Sequence, residues 1–186
     1  MPGVEDDRNL SIPQKRFDFA VNAVLINEGG FSNDTNDPGG ATNFGVTQHD
    51  LDEYSKELKL PSLVNNLTID NAKTFYHAVY WEKYYYEHIQ SLKIAIKVFD
   101  LAVNMGPSEA HTLIQRALNW CGYRLIEDGI LGPKTFAAIN ETCLHGREEE
   151  LDTNLKEEAT HYYETITEEN PKLYKFLKGW LHRADE

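Results

Sequence analysis

The sequence predicts an all-α protein, and three observations carry that expectation. Apolar residues recur at helical spacings of one, three and four over most of the chain, beginning with Phe17, Ala20, Val21, Val24 and Leu25. No segment shows the strict alternation of a half-buried strand. Capping and stop residues punctuate the helical segments where a bundle needs its turns. Hydrophobic residues make up 41% of the 186 positions and aromatics 11%, enough for a core of one domain or one domain with a small lobe.

Residues 1–12 read as a loose leader, and the first helix runs from Pro13 to the neighbourhood of Glu28. Gly29-Gly30 fits its stop, because glycine accepts the positive φ of a helix end. The stretch 31–45 is dense in Asn, Asp, Gly and Pro and predicts turns or a short irregular hairpin. Further helices are expected over Asp50–Leu60 and after an N-cap at Thr68 or Asp70, where Ala72, Phe75 and Val79 share a face. Three more follow: Leu92–Asn104, the segment "PSEAHTLIQRALNWCG" ending at Gly122, and Thr135–Cys143 after the turn "EDGILGPKT". The stretch from Glu148 to His182 reads as one or two charged amphipathic helices, with Pro171 as the break.

Composition narrows the function. A net charge of −12 with only 18 Lys and Arg argues against a nucleic-acid partner and against adhesion to an anionic membrane. A neutral or locally cationic ligand remains. No run of about 18 apolar residues exists, so no membrane insertion is expected. The polar N-terminal stretch has no apolar core for a secretion signal. It predicts a protein made in the cytoplasm that reaches any target beyond it through a holin or a secretion system. Cys121 and Cys143 read as reduced structural thiols, with one disulfide as the alternative, and with His145 they are too sparse for a zinc cluster. The scattered histidines lack a metal-protease spacing, and no Gly-x-Ser-x-Gly elbow is present. No metal or cofactor is expected, and a monomer is.

The candidate chemistry lies in "INEGGFSNDTNDPGGATNFGVT", residues 26–47. Glu28 ends a helix, so its carboxyl sits on rigid backbone yet points away from the helix body. Asp37 follows nine positions later and Thr42 five beyond that, with turns between that can fold them back across from Glu28. Glycoside cleavage needs a protonated carboxyl at the leaving oxygen and a second group to steer water or stabilise the developing cation. Ile26, Asn27, Phe31 and Phe44 are expected to desolvate Glu28 and raise its pKa. The bland reading is a solvated helix-end Glu28 with Asp34 and Asp37 as turn formers. The rings Tyr76, Tyr80, Trp81, Tyr84, Tyr85 and Tyr86 likewise allow two readings: core plus surface, or a partly exposed platform that stacks on sugars. The run "REEELDTNLKEEA" reads as a solvated helix face.

These residues carry a resemblance. "EGGFSNDTNDPGGATNFGVT" resembles the signature of glycoside hydrolase family 108, the phage-endolysin-like N-acetylmuramidases: Glu-Gly-Gly-aromatic, then Asp-Pro-Gly-Gly-x-Thr-Asn-aromatic-Gly. "VYWEKYY" is similar to that family's Tyr-Trp segment. "FDLAVNMGPSEAHTLIQRALN", "DGILGPKTFAAI" and "FLKGWLHRA" are similar to its C-terminal half, a predicted peptidoglycan domain. The likeness spans about Phe17 to Ala184.

The resemblance implies a lysozyme-like helical fold with a groove for peptidoglycan glycan strands. It places a lysozyme-like catalytic part at 13–90 and a peptidoglycan-domain-like part at 91–186, packed as one unit with the first. Glu28 falls on the catalytic Glu, with Asp37 and Thr42 completing a catalytic set similar to that of phage-type lysozymes. The second spacing is one residue shorter here, which leaves Asn43 or Thr47 as alternatives to Thr42. Phe31 stands where Tyr is common. Substrate contacts are expected from Gly29, Gly30, Phe31, Asn43, Phe44, Gly45, Tyr80, Trp81 and Asn104. The implied reaction is hydrolysis of the β-1,4 bond between N-acetylmuramic acid and N-acetylglucosamine. The alternatives are a lytic transglycosylase and a non-catalytic peptidoglycan-binding module. With Asp37 activating a water, the two carboxyls are expected about 6.5–9.5 Å apart, the spacing of inversion.

Overall fold

A computed structural model describes residues 11–32 and 40–186. The chain divides into two compact units, Met1–Lys83 and Tyr84–Glu186.

In the first unit, helix α1 spans Ile12–Glu28. Its start is written locally: the Ser11 hydroxyl accepts the Gln14 N–H while the Gln14 side chain returns to the Ser11 backbone, a reciprocal cap. Phe17, Ala20, Val21 and Val24 are buried, the face expected from their spacing. Gly29 ends the helix at φ +70°, a conformation that side chains with a Cβ adopt at a cost.

The fold is all-α apart from a small ladder. Strands β1 (Thr42–Asn43) and β2 (Val46–Thr47) pair antiparallel, with Thr42 opposite Thr47, and Ser32 pairs with Thr42 on its other side. Two hydrogen bonds of 2.9 and 2.8 Å join the backbones of Ser32 and Thr42. Helix α2 (Gln48–Leu58) starts two residues before the expected Asp50, because Thr47 and Asp50 cap each other reciprocally. A 3₁₀ turn at Val64–Asn66 is tied to α2 by Gln48, whose amide donates to Ser62 O and accepts from Val64 N. Helix α3 (Ile69–Tyr76) is capped by Thr68 and continues as a π-helical turn, His77–Glu82.

The second unit is a bundle of five helices: α4 (Leu92–Met105), α5 (Pro107–Trp120), α6 (Pro133–Leu144), α7 (Glu148–Glu169) and α8 (Tyr174–Asp185). Asn170 and a 3₁₀ turn at Pro171–Leu173 separate the last two, so the proline break separates two helices as expected. Helix α7 packs on α5 and α8, and α4 on α5. Buried polar groups tie the bundle together. The Arg183 guanidinium forks onto both oxygens of Asp100 at 2.8 and 2.9 Å, and Lys97 donates to the carbonyls of Arg183 and Ala184 at 2.9 and 2.6 Å. Burial lowers the Lys97 pKa to about 8. Buried His111 meets the Gly129 carbonyl at Nδ1 (3.1 Å) and the Tyr86 hydroxyl at Nε2 (2.8 Å). A carbonyl only accepts, so Nδ1 carries the proton and Nε2 accepts from Tyr86. Cys121 and Cys143 are free thiols. Among the described residues no helix is long and apolar enough to cross a membrane.

Candidate active site

The half-buried carboxyl of Glu28, the last residue of α1, meets the hairpin turn between β1 and β2. That turn consists of Phe44 and Gly45, both at positive φ (+53° and +76°). A Cβ on Gly45 would lie 2.5 Å from Glu28 Oε2 and 2.8 Å from Glu28 Cγ, and closer still to the Tyr76 hydroxyl oxygen. Real carbon atoms do not approach oxygen so closely, so only glycine lets the turn press against both groups. The Tyr76 hydroxyl in turn donates to the Phe44 carbonyl at 2.9 Å. A helix end, a hairpin turn and a tyrosine from α3 therefore converge on one carboxylate.

Sequence reasoning placed Tyr76 only in the aromatic cluster. Its available signal was helical spacing: it follows Ala72 and Phe75 on the inward face of α3, and it is buried with them.

The other expected residues divide. Thr42 lies at the centre of the small ladder, its backbone paired on both sides, with its side chain half-buried. Asn43 is buried, and its amide donates to the Val64 carbonyl at 2.9 Å, bracing the hairpin against the 3₁₀ turn. Thr47 is committed to the cap of α2. Asp37 and its neighbour Asp34 lie outside the described residues, and so does the carboxyl separation. Gly29, Gly30 and Phe31 follow Glu28 and are exposed. Phe31 is 55% exposed and Ile26 82%.

The aromatic segment separates into core and surface. Trp81 is buried at 3% exposure, edge-on to Phe17 with centroids 5.7 Å apart, which fits its core reading. Tyr80 is half-buried and packs against Tyr76 at 5.8 Å, one ring removed from Glu28. Asn104 belongs to the second unit, where its Oδ1 accepts from the Tyr163 hydroxyl at 2.6 Å. No cluster of three potential metal-ligating side chains exists among the described residues.

Two family models match the chain in tandem. Residues 21–106 match glycosyl hydrolase 108, and residues 109–185 match a predicted peptidoglycan domain. The chain therefore carries a glycosyl hydrolase 108 region followed by a predicted peptidoglycan domain. Its fold is similar to that in the structure of Brucella abortus SagA, with a TM-score of 0.72 and 25% identity over 92% of this chain and 91% of that one. Comparison with curated proteins gives no match. A glycosyl hydrolase 108 region followed by a peptidoglycan domain makes the chain a peptidoglycan hydrolase, on a mainly α-helical, lysozyme-like fold.

Proposed function

We propose that this chain is an N-acetylmuramidase that cleaves the β-1,4 bond between N-acetylmuramic acid and N-acetylglucosamine, with Glu28 as general acid. The observation that carries this reading is the close seating of Glu28 against Gly45 and Tyr76. A catalytic acid must be held in one place, and three separate elements restrain this carboxyl. Glu28 gives its proton to the glycosidic oxygen as the bond to the sugar's anomeric carbon breaks. A water then attacks that carbon and yields its proton to Asp37, while Thr42 holds the water. Delivery to the wall through a holin or a secretion system completes the proposal.

The test is Glu28→Gln, nearly isosteric and unable to donate the proton. Peptidoglycan lysis should fall on the order of 10²–10⁴-fold with the melting temperature retained. Mass spectrometry of wild-type products should find reducing ends. Anhydro-muramic ends would overturn hydrolysis in favour of transglycosylation, and full activity in the Gln variant would remove Glu28 from the chemistry.

A further inference from the structure

An acidic surface bundle has little reason to keep a tryptophan in water, yet Trp120, the last residue of α5, is 73% exposed. Its indole is nonetheless fixed: Nε1–H donates to Glu158 Oε1 on α7 at 2.7 Å. The ring borders a cavity of about 350 Å³ lined by Arg116, Asn119, Trp120, Glu127 and Glu158. The polar rim is fixed as well. Arg116 Nε contacts Glu127 Oε2 at 3.0 Å, and the Asn119 amide donates to Glu127 Oε1 and to the Leu125 carbonyl, both at 3.1 Å. The Leu125 N–H donates back to Asn119 Oδ1 at 2.7 Å.

We propose that this cavity is a glycan-binding subsite in the second unit, in which the face of Trp120 stacks on a neutral pyranose ring. A pyranose offers one apolar C–H face and a rim of hydroxyls that both donate and accept. An indole pinned at its edge supplies the flat apolar partner without the loss of ring freedom on binding. The rim supplies a guanidinium, an amide and two carboxylates, a mixed set that suits hydroxyl and N-acetyl groups. One cation against two carboxylates also disfavours an anionic ligand such as a stem-peptide carboxylate. The occupant is therefore a neutral N-acetylglucosamine-type residue of the strand. The subsite rests on the peptidoglycan reading of the chain but not on Glu28.

The test uses the full chain and two readouts. Trp120→Ala should bind insoluble peptidoglycan about tenfold more weakly, the loss expected of an anchoring aromatic, while cleavage of short soluble glycan fragments stays unchanged. In the wild-type chain, the indole N–H resonance of Trp120 should shift on titration with soluble N-acetylglucosamine oligomers. Wall binding equal to wild type in the Ala variant overturns the subsite. So does an unmoved resonance, which needs no variant to fold. Glu28→Gln separates the two readings, since it should bind the wall as wild type does while failing to lyse it.

Discussion

Gly45 abuts Glu28: a Cβ at position 45 would fall 2.5 Å from the carboxylate oxygen Oε2. The consequence of filling that space is specific. Gly45→Ala meets both the overlap and a φ of +76°, a conformation costing about 1–3 kcal/mol for a residue with a side chain. The melting temperature should drop, and lysis should fall on the order of 10²-fold as the carboxyl is displaced. An Ala variant with wild-type lysis would show that the position of this carboxyl is immaterial.

Tyr76→Phe removes one oxygen and leaves the ring in the core. The lost bond to the Phe44 carbonyl should cost about 0.5–1.5 kcal/mol of stability. Lysis should suffer more than stability does, because the turn against Glu28 loses its restraint. Thermal melts set beside turbidity assays compare the two, and equal losses would reduce Tyr76 to a packing residue.

The two neighbours Tyr80 and Trp81 should behave oppositely. Trp81→Ala opens a hole beside Phe17 and should cost about 3–5 kcal/mol. Tyr80→Ala, at a half-buried ring beside Tyr76, should melt near wild type and lose wall lysis if the ring meets glycan. A Tyr80 variant that both melts and lyses normally would remove this segment from substrate contact.

How far these residues were legible beforehand follows from the range of the interactions. Thr68 and Ser91 cap helices three residues ahead, so the starts of α3 and α4 could be read locally. The stop at Gly29 could be read for the same reason. Thr47 is an alternative to Thr42 on the resemblance, but its reciprocal cap with Asp50 starts α2 two residues before the Asp50 that the sequence pattern predicts. The Tyr76 hydroxyl reaches a carbonyl 32 positions away, and no periodicity encodes that. The π-helical turn at His77–Glu82 and the left-handed Tyr85 (φ +58°) decide which of six clustered rings are buried. An aromatic run by itself is compatible with either outcome.

Acid should weaken the second unit through His111. Burial holds its pKa down at about 4 against an ordinary 6.5, with the Gly129 carbonyl opposing part of that shift. Between those values the unfolded chain takes a proton that the folded one refuses. Stability is therefore fully present above about pH 6.5 and is lost as pH falls through 4, by about 3 kcal/mol. Melting curves across that range should slope more steeply for the wild type than for His111→Gln. Parallel slopes would show that this imidazole is not the group responsible.

The fork between Asp100 and Arg183 also bears on the order in which the molecule is made. The partners stand 83 positions apart, and Lys97 depends on carbonyls from the same final helix. A ribosome that has released Asp100 but not yet made Arg183 holds a chain in which closing the second unit would bury an uncompensated charge, at a cost of several kcal/mol. The first unit, Met1–Lys83, is made before any of the second, and domains fold as units while synthesis continues. The residues around Glu28 are therefore made early, and the bundle that carries Trp120 completes only when the last helix arrives.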